Sequence, residues 1–88
     1  MKKAEFTATE GQGAIESSLL YGKKILAIYV DGVAITKFIY SGIPALNEAK
    51  ITMLQASLFG VIINQVAQFQ FNVPMTGGTF VQILYQDI

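Results

Sequence analysis

Two apolar runs, Ile25-Leu26-Ala27-Ile28-Tyr29-Val30 and Val33-Ala34-Ile35-Thr36-Lys37-Phe38-Ile39-Tyr40, flank the dipeptide Asp31-Gly32. Both runs are rich in β-branched and aromatic residues, which fit a pleated, half-buried surface. Asp-Gly between such runs is the strongest short-range signal for a hairpin, because a type I′ turn needs positive φ at both central residues. A chain that commits its middle to a tight hairpin is constrained toward a sheet protein. The first run is apolar on both faces, with Ile25, Ala27 and Tyr29 on one and Leu26, Ile28 and Val30 on the other. A sheet half open to water alternates instead. Both faces of this hairpin are therefore expected to be covered, by a second sheet or by another chain.

The flanking sequence extends the pattern. Lys2–Thr9 reads as a strand with Ala4, Phe6 and Ala8 on one face, broken by Gly11-Gln12-Gly13. Ala14–Tyr21 is compatible with a helix or a strand. Ser41-Gly42-Ile43-Pro44 is a turn, and Ala45–Ala49 has room for one helical turn only. Ile51–Ala56 and Val61–Ile63 read as short strands around a turn or bulge at Leu58-Phe59-Gly60. Gln68-Phe69-Gln70-Phe71-Asn72-Val73 alternates strictly, which places the phenylalanines and Val73 inward and the amides outward. Pro74 is expected to end that strand. A second turn at Thr76-Gly77-Gly78-Thr79 leads into Phe80–Gln86. Six to eight short strands in 88 residues imply one all-β domain over 1–88, a small β-sandwich of Ig-like or jelly-roll-like character.

Composition narrows the chemistry. The chain has no His, Cys, Trp or Arg, and its 6 lysines balance 6 carboxylates to zero net charge. There is no imidazole base, thiol nucleophile or disulfide framework, and no cofactor or metal site is expected. No basic footprint for nucleic acid exists. Gly11-Gln12-Gly13 lacks the third glycine, helix and lysine of a phosphate loop and reads as turn glycines. No export signal is readable after Met1-Lys2-Lys3, because Ala4–Glu10 is polar and charged. From Ile51 to Gln86 no residue carries a charge. Gln65, Gln68, Gln70, Asn72 and Pro74 interrupt its apolar pieces, so it reads as uncharged strands and not as a membrane-spanning helix.

The amide-rich face of that stretch reads either as an ordinary solvent face or as a face packed against a protein partner, since charged residues are depleted at interface cores. The residues expected to form the interface, some of them shared with the core, are Ile62, Phe69, Phe71, Phe80 and Tyr85. Expected partners are copies of the chain itself and a larger structural protein, without nucleic acid or membrane. The competing reading is a carbohydrate-binding β-sandwich with Tyr29, Phe38 and Tyr40 as its aromatic platform. No arrangement of carboxylates suggests catalytic work, so the chain is read as non-enzymatic, with no catalytic residues.

The segment Ile25-Leu26-Ala27-Ile28-Tyr29-Val30-Asp31-Gly32-Val33 resembles the strand, Asp/Asn-Gly, strand opening of small β-sandwich modules in bacteriophage fibre, tail and head-decoration proteins. Phe69-Gln70-Phe71-Asn72-Val73-Pro74, Thr76-Gly77-Gly78-Thr79 and Phe80-Val81-Gln82-Ile83-Leu84-Tyr85-Gln86 resemble the closing half of such modules. The stretch from Ser41 to Gln65 departs from that pattern and is longer than the simplest modules need. The resemblance implies a structural role in a virion, with no catalytic residues to carry over.

Overall fold

The computed structural model describes residues 1–87. It contains eight strands: β1 (Lys2–Thr7), β2 (Gln12–Ser17), β3 (Lys24–Val30), β4 (Val33–Ala34), β5 (Lys37–Ile39), β6 (Glu48–Leu58), β7 (Val61–Met75) and β8 (Phe80–Gln86). They form two four-stranded sheets, in the orders β1-β8-β3-β4 and β2-β7-β6-β5. The molecule is a small β-sandwich, as the strand and turn pattern implies. All pairings are antiparallel except β5 with β6, which run parallel.

The inner faces of the two sheets meet in one core. Phe69 lies at its centre with Leu20, Ile28, Val81 and Ile83, all almost fully buried. Ile15 and Ile51 pack from the second sheet, Ala4 and Tyr85 from the first, and Ala8 from just past β1. Ambiguity at Ala14–Tyr21 resolves as strand up to Ser17, because Ile15 pairs opposite Phe69 in the β2–β7 ladder. The first strand ends at Thr7, two residues short of the expected Thr9, with Ala4 buried, Phe6 packed against the core and Ala8 buried just past its end.

Asp31-Gly32 forms the two-residue hairpin, with Val30 opposite Val33 and φ of +50° and +82° at the two turn residues. The Asp31 amide donates to the Phe80 carbonyl, and the Phe80 amide donates back to Oδ1 of Asp31, each at 2.8 Å. The turn is thereby tied to the start of β8. The second half of the hairpin is shorter than the run Val33–Tyr40 suggested. After two residues the chain leaves the first sheet, and Lys37–Ile39 joins the second beside β6.

A bulge explains why β3 is apolar on both faces. The register against β8 slips between Ile25 and Ala27, where two residues of β3 advance against one of β8. A bulge switches which alternation faces inward. Ile25 before it, and Ile28 and Val30 after it, all pack on the core, while Leu26 at the slip is exposed. Complete cover on both sides of β3 is therefore not required, which corrects the reading made from its composition.

The alternation of Gln68–Val73 holds for Phe69 and Phe71, which are buried, while Gln70 and Asn72 are exposed. It fails at Val73, which is 61% exposed. Between Ala14–Gln70 and Gln12–Met75 the β2–β7 register is irregular, and residues 71–74 bow out of the ladder. Pro74 sits in that irregular stretch, where its missing N–H costs no ladder bond. The strand then runs on to Met75, one residue past the proline that was expected to end it. Ala45–Glu48 forms a turn and not a helical one: the Glu48 amide donates to the Ala45 carbonyl at 3.0 Å, and Asn47 adopts φ +63°.

Two outcomes follow for stability. Phe69→Ala is expected to cost about 3–5 kcal/mol by opening a cavity in the core, whereas Gln70→Ala should stay within about 0.5 kcal/mol. Equal costs in a denaturant titration would invert the register. Gly32→Val forces a β-branched residue into the left-handed region and should cost about 1 kcal/mol or more; an unchanged melting temperature would contradict the type I′ geometry.

Candidate functional site: an uncharged hairpin arm and a cleft at the opposite end

Strands β6 and β7 outlast their neighbours. On the outer side of β6 the last partner is Ile39, opposite Lys50. On the outer side of β7 the last partner is Ser17, opposite Ala67. Beyond those rungs β6 and β7 pair only with each other, up to Leu58 opposite Val61. The result is a two-stranded arm. Sequence reading divided β7 at Asn64-Gln65, but the amides continue the strand because they pair across it. Gln65 Nε2 donates to Oε1 of Gln55 at 3.1 Å, and the Tyr21 hydroxyl donates to the same oxygen at 3.2 Å. Tyr21 comes from the β2–β3 loop, so these bonds clamp the root of the arm to the sandwich.

Past that clamp, Ala56, Ser57 and Leu58 lead to the tip, a further reach of about 10 Å at roughly 3.3 Å per residue. The tip turn is Phe59-Gly60, with φ +52° and +78°. This is the same two-residue geometry as Asp31-Gly32, but a phenylalanine occupies the place where Asn, Asp or Gly is favoured. A bulky residue in the left-handed region is a backbone outlier, at a cost of about 1–2 kcal/mol. The Phe59 side chain gains no internal packing in return, as it is 96% exposed. Leu58, Val61, Ile62 and Ile63 around it are also more than half exposed. A register slip between Ala56 and Ser57 lets Ile62 and Ile63 both reach the surface.

At the opposite end of the same strands the two sheets part. Val30, Val33 and Ile35 on one side and Leu46, Phe71, Val73 and Met75 on the other line a largely apolar cleft of about 290 Å³. Asp31 and Glu48 stand at the cleft as well, but both carboxylates hold backbone. Asp31 accepts from the Phe80 amide, and Glu48 Oε1 accepts from the Ala45 amide at 2.9 Å. Among the described residues no group of three or more His, Cys, Asp or Glu side chains comes together.

The five residues expected at an interface separate into two sets. Phe69, Phe71 and Tyr85 are the members shared with the core, buried between the sheets, and a partner reaches them only by opening the sandwich. Ile62 is exposed on the arm, and Phe80 keeps 37% of its surface. The arm residues absent from that set are Leu58, Phe59, Val61 and Ile63. The available signal was Phe-Gly standing where a hairpin turn prefers Asn-Gly or Asp-Gly, inside a stretch without charge.

The aromatic residues of the carbohydrate reading are not brought together. Tyr29 belongs to the β1-β8-β3-β4 sheet, on the strand face opposite buried Ile28. Phe38 belongs to the other sheet and packs against the core, while Tyr40 is exposed beyond β5. No protein-family profile, curated protein or solved structure matches the chain.

One ion-pair cluster forms just past the end of β8. Asp87 takes a salt bridge from Lys2 and another from Lys23, the latter at 2.9 Å. Hydrogen bonds from these two lysines hold the Asp87 carboxyl down at about 2. A carboxylate whose folded pKa is depressed contributes stability above its unfolded pKa and loses it as pH falls through the folded value. The window is thus roughly pH 4 to 2. Asp87→Asn should flatten the loss of thermal stability in that window, and added salt should flatten it in the native chain, since the group is exposed. An acid limb unchanged by Asp87→Asn would show that other carboxylates control it.

Proposed function

We propose that this protein is a non-enzymatic assembly protein that associates with copies of itself and docks on a larger structural protein. The observation that carries this reading is the tip of the arm, where Phe59 is held in an unfavourable backbone conformation and is 96% exposed. Within the isolated chain that residue is a net cost. Burying a phenylalanine side chain against a partner is worth about 1.5–3 kcal/mol, which exceeds the strain of about 1–2 kcal/mol. The balance turns favourable only when something covers the tip.

The rest of the arm supports the same reading. Isolated two-stranded hairpins are marginal in water, and exposed strand edges are normally blunted by lysine, proline or a covering element. From Thr52 to Val66 the arm has neither a charge nor a proline. Zero net charge on the whole chain removes the monopole repulsion that keeps many proteins apart. The likeness of the Asp31-Gly32 hairpin and of Phe69–Gln86 to phage fibre, tail and head-decoration modules supports a virion as the setting.

Phe59→Asn tests the reading with two readouts of opposite sign. Asn suits the left-handed turn position, so the isolated chain should gain about 0.5–1.5 kcal/mol, a rise of several degrees in Tm. Self-association measured by sedimentation velocity should weaken at the same time. Native protein that stays monomeric into the millimolar range, or a Phe59→Asn variant that associates as well as the native chain, would overturn the proposal.

A further inference from the structure

Resting on that reading, we propose that copies of this chain join head to tail, with the Phe59 tip of one copy seated in the apolar cleft at the far end of the next. The two features sit at opposite ends of the same strands. The tip closes the β6–β7 hairpin at Leu58 and Val61, and the cleft is lined where β6 begins, at Leu46–Glu48, and where β7 ends, at Phe71–Met75. A contact between opposite ends is heterologous, so it propagates into a ring or a filament.

Size and polarity match. The cleft of about 290 Å³ is lined mainly by aliphatic and aromatic side chains. A dry apolar cavity of roughly 150 Å³ already accepts a benzene ring, so a phenyl side chain fits with room for Leu58 or Val61 beside it. The rim is also apolar and open to solvent, since Val33, Leu46 and Val73 are each more than 60% exposed.

Charge gives the direction. The ladder β1-β8-β3 places Lys2, Lys3 and Lys24 at the end from which the arm projects, and Lys23 joins them through Asp87; these four lysines face two carboxylates, Asp87 and Glu5, the latter 3.7 Å from Lys3 Nζ. The cleft end carries Asp31 and Glu48, with Glu10 hydrogen-bonded to the Gly77 amide at 2.9 Å, against one lysine, Lys37, opposite Glu48 in register. Glu16 and Lys50 lie between the two ends and cancel each other. A chain without net charge is thus polarised along its strands, positive at the arm and negative at the cleft. With the tip seated, the two ends face each other across the free reach of the arm, about 10 Å, which is comparable to the screening length of about 8–10 Å at ordinary ionic strength. Arm-to-arm pairing would instead bring the lysine ends together. The arm itself has no lysine or arginine to meet lipid headgroups, which favours a protein surface over a bilayer.

Complementing variants test this. Phe59→Asp disables the tip and Val73→Asp disables the cleft. Both positions are exposed, and retention of the native melting transition confirms folding. Should Val73→Asp fail to fold, Leu46→Asp at the same rim replaces it. Sedimentation of the native chain is expected to show species that grow with concentration, and each variant alone should associate at least tenfold more weakly. An equimolar mixture should form a one-to-one dimer and nothing larger, because only one intact tip and one intact cleft can meet. A Val73→Asp variant that assembles like the native chain while Phe59→Asp does not would place the tip elsewhere on the copy, overturning this contact but leaving self-assembly in place. Variants that stay monomeric when mixed would overturn the contact as well. Native protein that is monomeric throughout would remove both the contact and the assembly reading. Flotation of native chain, but not of Phe59→Asp, with phosphatidylcholine vesicles, without dimer formation in the mixture, would make a bilayer the occupant and refute the copy.

Discussion

The long ladder between β6 and β7 is the constraint on which the rest of the molecule depends. Its inner half sets Phe69 and Ile51 opposite each other beneath the facing sheet. Its outer half continues the same register into water. A strand has one alternation, and the alternation that points Phe69 inward also fixes which arm residues project on each face until a bulge interrupts it. The slip between Ala56 and Ser57 comes after the Gln55–Gln65 clamp. Core and arm are therefore not separate inventions: the body anchors the ladder, and the ladder carries the tip.

Much of the sandwich was legible because its signals are local. Asp31-Gly32, the Gly77-Gly78 turn and the alternation at Phe69 and Phe71 each depend on a few neighbouring residues. The two-faced run at Ile25–Val30 was harder. A bulge at Leu26 leaves no mark in hydrophobicity, because Ile25 and Ile28 are both apolar whichever way they point. The run after Asp31-Gly32 failed for a related reason. Nothing in Val33–Tyr40 announces that its first two residues belong to one sheet and Lys37–Ile39 to the other, since that switch is decided by the long-range pairing with Glu48–Lys50.

The arm was visible only as an absence of charge. Composition could say that Ile51–Gln86 avoids charge, but the same apolar residues serve two environments. Phe69, Phe71 and Tyr85 are apolar because they are core; Phe59, Ile62 and Ile63 are apolar and exposed. What separates them is where the flanking strands stop. Ser17 and Ile39 are the last residues to cover β7 and β6, and the turn at Ser41-Gly42-Ile43-Pro44 ends a strand without showing which neighbour it leaves uncovered. The cleft was equally hidden, since it arises where residues 71–74 bow out of the ladder and carry Val73 with them.

Exposed apolar tips and unguarded edges oppose solubility, so their placement matters more than their number. Met53 and Leu54, on the side of the clamp nearer the sandwich, are each about two-fifths exposed, whereas Phe59 is almost wholly so. Exposure therefore rises along the arm and peaks where the backbone is strained. An edge that merely lacked protection would show neither gradient nor strain, and mutation toward Asn at the turn would relieve the backbone at once. Concentrating the apolar surface at one small tip limits indiscriminate sticking. In the proposed assembly the contact then depends on a partner surface concave enough to surround a single ring, which a flat sheet edge cannot do.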